Sequence, residues 1–138
     1  MNSVQLPPNQ HTIGYLCYNN FVALTFITIK IINPLDTKKT FSRKFLVDSG
    51  AVYSVVDEEV LKKLGVVSTR TMEFELANGQ TIKRKVGEVT FGYKGLKATS
   101  PVVFGDKGVF LLGAVTLETF GLILDPINRK LRGLPMLI

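Results

Sequence analysis

Apolar and polar positions alternate along most of the chain in short runs, the pattern of half-buried strands. Phe21 to Ile32 (FVALTFITIKII) is rich in β-branched and aromatic residues, which predicts one long strand. Asn33-Pro34-Leu35-Asp36 is a turn signal, and Thr40 to Val47 returns as a second strand to close a hairpin. A third strand is predicted over Val52 to Val56. Asp57 to Gly65 reads as a short helix, with Asp57 able to cap it, acids in the first turn, lysines in the last and Gly65 as the left-handed stop.

Beyond the helix, Thr71 to Leu76 and Gln80 to Lys85 flank Ala77-Asn78-Gly79, and Asn-Gly is a strong hairpin signal. Further strands are predicted at Glu88 to Tyr93, Leu96 to Phe104 and Val109 to Leu112. Pro101 inside the second of these points to an edge position or a bulge. Val115 to Phe120 fits a short helix ending at Gly121, then a strand at Leu122 to Leu124 closed by Asp125-Pro126, and a last one over Lys130 to Ile138. Neither a repeat nor a linker interrupts this series. A single all-β domain over residues 1–138, barrel or sandwich, with its core at about 21–132, is the expected architecture.

Composition narrows the chemistry. The 138 residues are 46% apolar and 20% charged, as in a globular chain. Lys30 interrupts the longest early apolar stretch, and the first ten residues lack the charged and apolar regions of a secretory signal, so a cytoplasmic protein without a membrane span is expected. One cysteine, Cys17, excludes an intrachain disulfide. One histidine, His11, argues against a Ser-His-Asp triad, and neither residue is expected to act in catalysis. No metal or other cofactor is expected. The net charge of +6 comes from basic residues spread along the sequence, which reads as a solvated surface and not as a nucleic-acid patch.

Carboxylates, hydroxyls and lysines remain as candidate reactive groups, and the informative segment is Phe45-Leu46-Val47-Asp48-Ser49-Gly50-Ala51. An acid directly after three apolar residues stands where a core strand ends, so its carboxyl is partly desolvated. Gly50 allows a sharp turn, and Ser49 supplies a hydroxyl. Alone, the tripeptide is equally an ordinary turn.

The order FLVDSGA, then ELANGQ, then FLLGAVTLETFGLILD resembles the retropepsin-like aspartic peptidases, the retroviral proteases and their cellular and prokaryotic relatives. The resemblance implies an acid-protease barrel with one or two short helices and an active site on the two-fold axis of a homodimer. It implies an aspartic endopeptidase in which two Asp48 carboxyls, one from each chain, share a proton and activate water on a peptide substrate. Such sharing is the general behaviour of aspartic proteases, since two carboxylates a few ångströms apart do not both ionise. By the same resemblance Ser49 braces the two active-site loops across the dimer, and Gly50 and Ala51 complete each loop beside the substrate. Ala77, Asn78 and Gly79 form the tip of a flap, and Leu111, Leu112 and Gly113 support the loop from below.

Only one such aspartate is present. Asp125 also follows apolar residues, but Pro126 comes next and the segment reads as a turn. Hence the expectation of a homodimer, with the apolar tail Leu134 to Ile138 as a candidate interface. The chain departs from the retroviral pattern at Val52-Tyr53 and Ala114, where those enzymes commonly carry acids and an arginine. Two rival readings are a non-catalytic dimeric peptide-binding module of the same fold and a small basic barrel that binds nucleic acid.

Overall fold

A computed structural model describes residues 24–135, together with the backbone of two short strands, β1 (Cys17–Tyr18) and β2 (Phe21–Val22), which pair with each other. His11, the Cys17 side chain and Met136–Ile138 of the apolar tail lie outside the described residues. The main sheet contains β3 (Phe26–Asn33), β4 (Asp36–Val47), β5 (Ser54–Asp57), β6 (Arg70–Glu75), β7 (Thr81–Tyr93), β8 (Leu96–Gly105) and β9 (Phe110–Leu112). Their spatial order is β3-β4-β9-β5-β8-β7-β6, and β3 also pairs with β7 through Ile31 opposite Phe91. That extra pairing closes six strands into a barrel and leaves β6 as a terminal arm. A separate antiparallel pair, β10 (Leu122–Asp125) and β11 (Lys130–Gly133), follows the second helix. The architecture is all-β with two short helices, as the sequence predicts.

The predicted long strand Phe21 to Ile32 is in fact two. The partner strand β4 pairs Leu46 with Phe26 and ends at Val47, whose N–H donates to the Thr25 carbonyl at 2.8 Å. Asp48 then turns toward Leu112, so nothing is left to pair with residues before Thr25, and Phe21–Val22 pairs with β1 instead. The opposite difference arises in β7, where two predicted strands form one of 13 residues. Gly87 lies within it: a β-carbon there would stand 2.9 Å from the Val67 carbonyl oxygen, so this glycine admits a neighbouring backbone without breaking the strand. At the chain's end, the predicted strand to Ile138 is described only as Lys130–Gly133.

Pro101 is accommodated in a strand that runs between β5 and β7. Pairing with β5 begins one residue later, at Val102 opposite Ser54, so at Pro101 that side of β8 is still an edge. Helix α1 (Glu58–Lys63) starts from Asp57, whose carboxylate accepts the Glu59 N–H at 2.8 Å, and is followed by Gly65 at φ +76°. Helix α2 (Ala114–Phe120) ends at Gly121 in the left-handed region, also as predicted.

The inward positions of these strands fill the barrel with Ile29, Ile31, Phe45, Val56, Val89, Phe91, Val102 and Leu112, each fully buried. Phe45, three residues before Asp48, meets Phe91 and Phe110 edge-to-face with ring centroids 6.1 and 5.6 Å apart. It thus joins β4 to β7 and β9 and fixes the strand that delivers Asp48. Phe45→Ala is expected to remove about 3–5 kcal/mol of stability, a large part of what a domain this size has. A urea midpoint for F45A within error of the unsubstituted chain would refute this account of the core.

Candidate active site

The local chain path places Asp48 at a junction of three strands. β9 lies between β4 and β5, parallel to β4 (Val47 opposite Leu112) and antiparallel to β5 (Val55 opposite Leu111). The loop joining β4 to β5, residues 48–53, therefore has to pass over the end of β9. Its backbone is tied there at each step. Asp48 N–H donates to the Leu112 carbonyl at 2.9 Å, Ala114 N–H to Ala51 at 2.7 Å, and Val115 N–H to Val52 at 3.0 Å. Gly113 sits beneath, where a β-carbon would lie 2.6 Å from the carbonyl carbon and oxygen of Tyr53. No side chain fits in that space.

A buried chain of hydroxyls holds the same crossing from below. Gly113 N–H donates to Ser54 Oγ at 3.0 Å, Ser54 Oγ and Thr116 Oγ1 are 2.6 Å apart, and Thr116 Oγ1 is 2.8 Å from Ser100 Oγ. Thr116 and Ser54 are fully buried and Ser100 nearly so. Strands β5, β8 and β9 and helix α2 are thereby joined through one polar cluster whose groups satisfy one another. The sequence motifs do not single out Ser54, Ser100 or Thr116, although a signal for two of them exists. Ser54 alternates with Val56, and Ser100 with Ala98 and Val102, so both hydroxyls fall on an inward face.

On this support Asp48 is 8% exposed, whereas Ser49 and Gly50 at the loop tip face outward. Asp48 Oδ1 accepts the Gly50 N–H at 2.9 Å. Burial pushes the Asp48 carboxyl above its ordinary value of 3.8, and the backbone N–H groups of Gly50 and Ala51 pull the other way without cancelling the rise. A carboxyl poised to keep its proton longer than a surface acid is the result.

The four other aspartates are engaged elsewhere. Asp57 accepts N–H groups from Glu59 and Gly108, and the Gly108 bond above all holds it below the usual carboxylate range. Asp125 accepts from Ile127 and Asn128 backbone and from the Asn128 side chain at 2.8 Å, so its segment is the turn predicted for it. Asp106 pairs with Arg84 at 3.0 Å, and Asp36 opens β4 at the exposed hairpin. Asp48, Asp57 and Asp125 are about equally buried, and of these three Asp48 alone has its carboxyl pushed up. Among the described residues no cluster of His, Cys, Asp and Glu could hold a metal ion.

A family model described as aspartyl protease matches residues 34–115, a span that holds the Asp48 loop, the Ala77–Gly79 turn and β9. The chain belongs to the aspartyl protease family. Among solved structures, the solution structure of the simian foamy virus (mac) protease is similar in fold. It has a TM-score of 0.50 and 22% identity, with 67% of this chain and 91% of that one covered. No curated protein matches the chain.

For an aspartyl protease the β6–β7 hairpin is the element to compare with a flap. Its tip is a three-residue loop: Leu76 and Gln80 pair at 2.7 Å, Gly79 N–H donates to the Leu76 carbonyl, and Gly79 alone takes positive φ (+85°). Asn78 Oδ1 accepts the Gln80 N–H, so the described hydrogen bonds of Ala77, Asn78 and Gly79 stay within the turn. Backbone hydrogen bonds tie Asp48–Ala51 to Leu112 and Ala114, whereas the exposed hairpin tip bonds only within itself. Contact with the loop comes lower down the arm, where Phe74 of β6 meets Tyr53 edge-to-face at 6.5 Å.

Two stability measurements test this geometry. Because the folded state raises the Asp48 pKa, it binds that proton more tightly than the unfolded chain does. The associated stability is complete below pH 3.8 and is lost as pH rises through the elevated folded value. Asp48→Asn therefore has the higher thermal midpoint at pH 7, with the gap closing toward pH 3. A gap of the opposite sign at neutral pH would contradict the burial of this acid. Ser54→Ala strands the Gly113 N–H and costs about 1–3 kcal/mol in denaturant unfolding. An unchanged midpoint would show that the hydroxyl cluster does not hold the crossing.

Proposed function

We propose that this aspartyl protease family member is a homodimeric endopeptidase whose reacting group is Asp48. The reading is carried by one observation: a single mostly buried acid, raised in pKa, at the exposed tip of a loop braced on both sides. One such acid per chain supplies half of a proton-sharing pair. Two-fold symmetry brings identical residues face to face only near its axis, so the second half is Asp48 of another copy.

In that arrangement one carboxyl stays protonated and the other ionised, because adjacent like charges are costly in a dry site. The ionised partner takes a proton from a water held between them, and that water attacks the peptide carbonyl. The protonated partner donates to the carbonyl oxygen as the tetrahedral centre forms. In that dimer Ser49, exposed at the loop tip, bonds across the axis. The β6–β7 arm, with Ala77, Asn78 and Gly79 at its tip, closes over the substrate and excludes water. Leu111, Leu112 and Gly113 keep the loop at its height. No metal or other cofactor enters this chemistry, and a cytoplasmic setting remains part of the proposal.

Mixing unsubstituted and D48N chains separates shared from independent sites. D48N dimers are expected to cleave an unfolded protein substrate about 10⁴-fold more slowly or worse. In mixtures allowed to exchange, activity should follow the square of the unsubstituted fraction. A linear dependence would rule out sharing, and full activity of pure D48N would rule out Asp48. A dimer that binds a transition-state-mimicking aspartic protease inhibitor yet cleaves nothing from acid to neutral pH would be the non-catalytic peptide-binding module.

A further inference from the structure

The barrel also carries a concave feature on its outer face. A groove of about 440 Å³ is lined by Thr28, Lys30 and Ile32 of β3, Thr37, Thr40 and Ser42 of β4, and the β7–β8 turn from Gly92 to Lys97. Strand register explains why these residues meet. Ser42 lies opposite Lys30, Lys30 opposite Gly92, and Gly92 opposite Lys97, one row crossing four strands. Gly92 has no side chain, so the two ammonium-bearing residues flank a gap about 10 Å wide, two strand spacings. Lys94, at φ +45° beside Gly95, holds a third ammonium 5.3 Å from the Tyr93 ring centre at the same end. Lys44, exposed opposite Thr28, continues the basic row along β4.

The lining chemistry is selective. Three lysines and four serine or threonine hydroxyls converge, and no carboxylate lines the groove. Asp36 in the hairpin and Glu88 further along β7 lie outside it. Lysine, serine and threonine are the donors that meet phosphate and sugar, whereas the arginine, asparagine and glutamine forks that read base edges are missing. We propose that this groove binds the sugar-phosphate backbone of single-stranded nucleic acid without regard to sequence. Its volume is that of a small-ligand pocket, room for about one nucleotide of a strand that continues along the basic row. Residues 30, 44 and 94–97 are far apart in sequence, so their charges look scattered until the β3–β7 pairing gathers them.

The end of the groove nearest Asp48 is Thr28, paired with Lys44 four residues before that acid, about 13 Å of extended chain. The proposal is independent of catalysis and is tested on the full chain and on D48N alike. Fluorescence anisotropy with labelled oligo(dT) should show binding that weakens steeply from about 50 to 200 mM salt. The double variant K30Q/K97Q should bind at least about tenfold more weakly at low salt and lower the log–log salt slope by about 1.4, with unchanged thermal midpoint and peptide cleavage. K63Q/K130Q removes the same charge elsewhere on the exposed surface and should bind like the unsubstituted chain. Equal loss in both double variants would reduce the effect to net charge and overturn the groove. Tighter binding to duplex DNA, or binding to phosphatidylserine vesicles or inorganic phosphate but not to oligo(dT), would overturn it as well.

Discussion

The insertion of β9 between β4 and β5 is the constraint on which the rest of the structure depends. A strand of three residues separates two strands that are neighbours in sequence, so the chain joining them must arch over its end. The arch holds its shape because Asp48, Ala51 and Val52 each bond to the backbone that follows β9 or ends it. Gly113 makes the approach sterically possible, and Ser54 receives the N–H that the approach would otherwise strand. Were any larger residue at position 113, the Tyr53 carbonyl would have to move, and with it the acid five residues earlier.

The same crossing explains why one acid differs from the others. Asp57 and Asp125 each follow strand residues and are about as buried as Asp48. Their oxygens, however, are filled by several N–H donors that stabilise the ionised form, and the backbone around them is an ordinary cap and turn. Asp48 is left with a single short side-chain bond, to Gly50, and a less compensated loss of solvent. Burial alone does not raise a carboxyl; burial with few N–H donors to the ionised form does.

Much of this is legible in the sequence because local rules and the global fold agree. Asp57 and Gly65 bound α1, Gly121 ends α2, and Asn78-Gly79 turns the hairpin where their chemistry requires. Strand limits depart from the sequence pattern where the deciding contact is distant along the chain. Thr25 ends a ladder because β4 stops at Val47, and Gly87 continues one because the Val67 carbonyl fills the space its side chain would occupy. In the site, Asp48 to Ala51 and Leu111 to Gly113 are read from contiguous motifs. The Ser54–Thr116–Ser100 cluster joins three segments up to 62 residues apart, so no window along the chain contains it. Tyr53 and Phe74 meet for the same reason, through a fold of the arm and not through a motif.

The terminal position of β6 has an outcome for how copies of this protein meet. β6 stands at the end of the strand order and is paired with β7 on one side, so its outer row of backbone groups is open to a strand from elsewhere. Arg70, Glu73 and Glu75 stand exposed along that row, and Glu73 faces Lys83 on the inner neighbour. Charges spread along an open edge disfavour the addition of a further strand, so the exposed side chains of β6 guard the arm against fibre-like stacking.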